Sequence, residues 1–117
     1  MKEELPKEFI GAGEVKGFSF NRVYSNDYAS VYKVKVFETE CIHYEVFERK
    51  FARICIDFEN KVFSETDFRE KYPKSKDFGV YAFTKKSFED AINVAKNIYI
   101  LKQWLKERKR NVMIAVN

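Results

Sequence analysis

The sequence predicts an α+β domain: an antiparallel sheet of about four or five strands packed against one long C-terminal helix, in two layers. Three observations predict it. Apolar residues recur at every second position through several segments before residue 83. A helical period then runs from residue 88 without Pro or Gly. Strands come first and one helix follows, the element order of an α+β fold. With 117 residues, 45% hydrophobic and only 4 Gly and 2 Pro, the chain has material for one modest core and is not a disordered chain.

In chain order, residues 1–12 read as a polar lead-in, broken by Pro6 and Gly11-Ala12-Gly13. Val15 to Tyr24 follows, with Phe18 and Phe20 on one face. Ser25-Asn26-Asp27 signals a turn, since short polar side chains satisfy nearby backbone groups. Tyr28 to Phe37 alternates, with Tyr32, Val34 and Val36 opposite Lys33 and Lys35. Ile42 to Arg49 sets Ile42, Tyr44 and Val46 against His43, Glu45 and Phe47, and Arg53 to Phe58 continues through Ile54, Ile56 and Phe58. This pattern predicts a sheet buried on one face. Ser64 to Lys71 is expected to form a short helical turn, Tyr72 to Asp77 an exposed loop, and Phe78 to Phe83 a further strand. The whole is one domain over residues 1–117, mainly sheet over 13–83.

The helix is expected over residues 87–109. Ser87 suits the N-cap and Asp90 the position three residues on. Phe88, Ala91, Ile92, Val94, Ala95, Ile98, Tyr99, Leu101 and Leu105 fall in one half of its circumference, and that stripe is expected to cover the sheet. Residues 111–117 contain Val112-Met113-Ile114-Ala115-Val116, read as an apolar tail or strand.

The chemistry-bearing residues are sparse. No phosphate loop, GxGxxG, HExxH or CxxC motif is present, and no catalytic, cofactor-binding or metal-ligating set is assigned. A nucleophile–base pair would need His43, the single histidine, beside Cys41. In a strand pattern His43 reads as a half-exposed cross-strand residue. Cys41 and Cys55 read as free, half-buried thiols. Asp57 and Glu59 share a face as a candidate carboxylate pair. The absence of an apolar leader or an 18-residue apolar run gives the expectation of a cytoplasmic protein without a membrane span.

Two features point to partners. Ile100 and Trp104 lie four apart, among Glu89, Asn93, Lys96 and Asn97, on the polar side of the helix. Trp is a favoured interface anchor. With Val112, Ile114 and Val116, which could add a strand to a second copy, they form the candidate interface of a homodimer or of a complex with another protein. Lys102, Lys106, Arg108, Lys109 and Arg110 stand against one acid, Glu107. They therefore account for the whole net charge of +4, with 17 basic and 17 acidic residues elsewhere. They are the candidate nucleic-acid contacts.

Glu14-Val15-Lys16-Gly17-Phe18, Tyr44-Glu45-Val46-Phe47-Glu48-Arg49-Lys50, Tyr72-Pro73, Phe78-Gly79-Val80-Tyr81-Ala82-Phe83 and Phe88-Glu89-Asp90-Ala91 occur in that order. Over roughly residues 14–95 the chain thereby resembles a family of small uncharacterised proteins of bacterial and phage genomes. The resemblance implies a small sheet-plus-helix domain, a dimeric state and a mobile-element context, and it carries no functional residues. The function expected from the sequence is a non-enzymatic, self-associating or protein-binding module. The alternative is a nucleic-acid-binding accessory protein.

Overall fold

The computed structural model describes the backbone of residues 1–116 and the side chains of residues 1–110. It is an α+β fold. Strands β2 (Glu8–Ile10), β3 (Phe18–Ser25), β4 (Ala29–Val36), β5 (Ile42–Glu48) and β8 (Ala82–Lys85) make a five-stranded antiparallel sheet in the order β2-β3-β4-β5-β8. Helix α1 (Phe88–Val116) packs on one face of it. Strands β1 (Lys2–Glu3), β7 (Val62–Glu70) and β6 (Phe51–Asp57) form a second sheet in the order β1-β7-β6.

Four expectations are corrected here. The lead-in is structured: β2 extends the main sheet, and β1 pairs in parallel with β7, Lys2 opposite Phe68. Residues 64–70 are strand rather than a helical turn, because β7 finds β6 on one side and β1 on the other. The strand expected from Phe78 begins only at Ala82; Gly79, at φ 89°, turns the chain first. Residues 111–116 carry no separate strand, and the backbone of α1 runs on through them to Val116.

The main sheet is buried on both faces rather than one. Toward α1, Ala29, Val31 and Val46 meet Ala91, Ile92 and Ala95, with Tyr24, Tyr44 and Ile98 at the border. On the other face Phe20, Tyr32, Val34, Phe47 and Ala82 are covered by Leu5, Phe9, Val15, Tyr72, Phe78 and Tyr81. Phe9 stacks on Phe20 at 4.6 Å and Tyr32 on Phe47 at 5.7 Å, while Tyr72 stands edge-on to both Phe20 and Phe47. The segment read as an exposed loop therefore supplies, in Tyr72 and Pro73, part of the second core's roof. β4 explains why the alternation misled. Its first half is covered by α1, whereas Lys33 and Lys35 lie further along and are exposed, so the polar signal comes from one end only.

Local chemistry fixes the joints. Asn26 Oδ1 accepts from the amides of Tyr28 and Ala29, closing the β3–β4 turn, and its Nδ2 donates to Ala95 O at 3.2 Å, tying that turn to α1. Ser87 Oγ accepts from Asp90 N, the N-cap the sequence predicts. Arg49, just beyond β5, donates to Glu4 (2.6 Å), Glu70 (3.3 Å) and Asn26 O (3.2 Å). It thus joins the N-terminal segment, β7 and the β3–β4 turn.

Candidate functional site

Two projections each carry a cluster of large exposed apolar side chains. The first is the β6–β7 hairpin. Beyond the Arg49 joint it is an arm, packed only strand on strand near its tip. Its turn is built on Asp57, whose carboxylate accepts from Asn60 N and, at 2.7 Å, from Asn60 Nδ2. Those bonds hold the Asp57 carboxyl below its usual range. Lys61 takes the left-handed conformation at φ 54°. Asp57 is therefore engaged with Asn60 and not paired with Glu59. Around this turn Ile56 is 69% and Phe58 88% exposed, with Val62 and Phe63 nearly half exposed. The Arg53 guanidinium lies over the Phe63 ring at 5.7 Å. Nothing in the strand alternation alone says that these residues lack a covering layer.

The second projection is the far end of α1. A 29-residue helix is about 44 Å long, whereas a seven-residue strand spans about 23 Å. The helix therefore outruns what it covers. Ile100 (63% exposed) and Trp104 (51% exposed) face solvent as the sequence analysis places them. Leu101 and Leu105, assigned to the sheet-covering stripe, are exposed with them because the sheet has ended. The side chains of Val112, Ile114 and Val116 lie outside the described residues. The basic cluster is divided: Lys102 Nζ pairs with Glu48 at 2.6 Å, and Arg108 lies over the Trp104 ring at 5.1 Å. Lys106, Lys109 and Arg110 are exposed.

A polar cluster under the second core brings further titratable groups together. Glu45 is 4% exposed. Its Oε2 lies 3.1 Å from His43 Nε2, and Tyr72 donates its phenol proton to Oε1. A cleft of about 500 Å³, lined by Glu14, Val15, Tyr72, Lys74, Phe78 and Thr84 among others, opens beside it. His43 thus partners Glu45, not Cys41. Cys41 and Cys55 are both exposed, contrary to the half-buried expectation. Both Glu45 oxygens are occupied by internal donors, so the carboxylate anchors Tyr72 and its loop to β5.

Burial raises the Tyr32 phenol to about 12, and burial together with the Glu45 carboxylate pushes Tyr72 above the ordinary phenol range. Both phenols hold their protons more tightly folded than unfolded. The stabilising contribution of both is complete below pH 10, the ordinary phenol value; that of Tyr32 is lost as pH rises through about 12, and that of Tyr72 persists to higher pH. Urea midpoints are therefore expected to fall over that interval, and less so in Tyr32→Phe. A midpoint that stays flat from below pH 10 to pH 12 would count against this assignment.

Among the described residues no helix is long and apolar enough to cross a membrane. Compared with protein-family models, curated proteins and solved structures, the chain matches none.

Proposed function

We propose that this chain is a non-enzymatic contact module of the cytoplasm that works by self-association or by docking another protein. One observation carries the reading: large exposed apolar side chains cluster four together at the arm tip (Ile56, Phe58, Val62, Phe63) and four together at the helix end (Ile100, Leu101, Trp104, Leu105). Contiguous apolar exposure of this kind marks interaction surfaces. Trp104 supplies a large amphipathic ring of the type that anchors interfaces. The likeness to small bacterial and phage proteins supports the same reading through the dimeric state it implies.

Light scattering across a dilution series tests it. The expected mass is twice 14.0 kDa at high concentration, falling toward 14.0 kDa on dilution. Trp104→Ala is expected to weaken association by about tenfold or more, the scale of a buried interface Trp, with unchanged helical circular dichroism. A mass of 14.0 kDa at every concentration overturns self-association.

The nucleic-acid reading ranks second because Glu48 and Trp104 already engage two of the five basic residues, Lys102 and Arg108. A shift assay with short DNA and RNA at low salt separates the two.

A further inference from the structure

We propose that the open edge of β6 pairs antiparallel with β6 of a second copy, with Cys55 on the two-fold axis. The inference rests on the self-association reading and names its partner and its place.

β6 ends its sheet, and among the described residues only β7 pairs with it. It is seven residues long and has no Pro, Gly or Lys to discourage pairing. The outer edges of the main sheet, β2 and β8, have only three and four residues. The direction of the β6 backbone follows from its neighbours. Phe68 N donates to Met1 O at 2.8 Å, so it points away from β6. Arg53, opposite Phe68, then sits in a pair without hydrogen bonds to β7 and turns its own N–H and C=O to the open edge. By strand alternation Cys55 does the same. The β6–β7 register shifts on both sides of Cys55, through extra β7 residues between Arg53 and Cys55 and through a β6 bulge between Cys55 and Asp57, which adds twist, while β6 itself remains extended from Phe51 to Asp57.

Charge selects the register. Centring the pair on Arg53 sets two guanidinium groups against each other, and centring it on Asp57 opposes two carboxylates. Centring it on Ile54 places Arg53 opposite the partner's Cys55 and gains no charge pair. Centring it on Cys55 places Arg53 opposite the partner's Asp57 twice over and Ile54 opposite the partner's Ile56 twice over. Opposite charges and apolar pairs facing across strands stabilise, and like charges destabilise. The same register sets the exposed Phe58 against the partner's Ala52, a small residue that leaves room for the ring. The two three-stranded sheets become one of six strands, joined by main-chain hydrogen bonds.

At the axis the two Cys55 Cα atoms would stand about 5.5 Å apart, within the span of a disulfide. Cys41, equally a free exposed thiol, is the internal control. The full chain is treated with diamide, which takes two electrons and two protons from a thiol pair and becomes the hydrazine. Products are resolved on a non-reducing gel, and mass is read by light scattering without oxidant. The expected result is a covalent dimer in wild type and in Cys41→Ser, and its loss in Cys55→Ser, which keeps the non-covalent dimer mass. Arg53→Asp is expected to shift that mass to 14.0 kDa, and Arg53→Asp with Asp57→Arg to restore it. A dimer that fails to cross-link through Cys55, or cross-links through Cys41, overturns this pairing and leaves self-association standing. A monomer at every concentration overturns both.

Discussion

Arg49→Met is expected to destabilise the protein by about 3–5 kcal/mol, the cost of leaving a buried charge without its partner. The Arg49 side chain is 14% exposed and the Glu70 carboxylate only 1%. With the guanidinium gone, Glu70 retains the Leu5 amide at 3.2 Å, a neutral donor that leaves the carboxylate without a countercharge. Glu4, more than half exposed, hydrates readily and adds little. The loss is read as a lower urea midpoint at unchanged slope. The combined Arg49→Met and Glu70→Leu variant is expected to recover most of it, since an apolar pair of similar volume can replace a buried ion pair. A loss in the single variant under about 1 kcal/mol, the value of a surface pair, would falsify the joint's role.

Phe47→Ala is expected to cost about 3–5 kcal/mol, the range for emptying an aromatic site in a packed core. Phe47 is fully buried, stacks on Tyr32 and receives the edge of Tyr72. Its removal takes one wall from two rings whose hydroxyls are committed, Tyr32 to Pro6 O at 2.9 Å and Tyr72 to Glu45. Neither ring can shift to fill the gap without breaking a buried hydrogen bond. Phe58→Ala, by contrast, removes a ring that is 88% exposed and is expected to leave monomer stability within about 0.5 kcal/mol. Equal losses in the two variants would mean that the second core is less well packed than its ring geometry indicates.

The sequence made β3 to β6 and the start of α1 legible because apolar residues recur in each at the period of its own backbone. It misplaced what depends on a second layer. Tyr72 and Phe9 look like isolated aromatics in polar surroundings until the far face of the sheet is seen to need a roof. β7 was obscured because its middle bulges: Ser64 Oγ accepts from Thr66 N and Asp67 N, which breaks the alternation. Ile100 and Trp104 stood out because they interrupt a polar face. Leu101 and Leu105 did not, since a helical stripe carries no mark of where the underlying sheet stops. Glu45 was hidden for a related reason. A carboxylate between His43 and Tyr44 on one side and Val46 on the other reads as solvated unless Tyr72, 27 residues away, is known to reach it.

The parallel pairing of β1 with β7 has a consequence for the order of folding. Met1 bonds to Thr66 across 65 residues, so this contact closes nearly the whole intervening chain. Loop-closure entropy makes so distant a contact unfavourable until the strands between are already held together. The β2-to-β5 meander, with turns between neighbours, closes at little entropic expense and provides that support. The N-terminal residues are therefore the last clasp to shut and the first to open, and β7 exchanges its amide protons through openings smaller than global unfolding. Each such opening frees a second strand edge on the arm, beside the one already bare on β6.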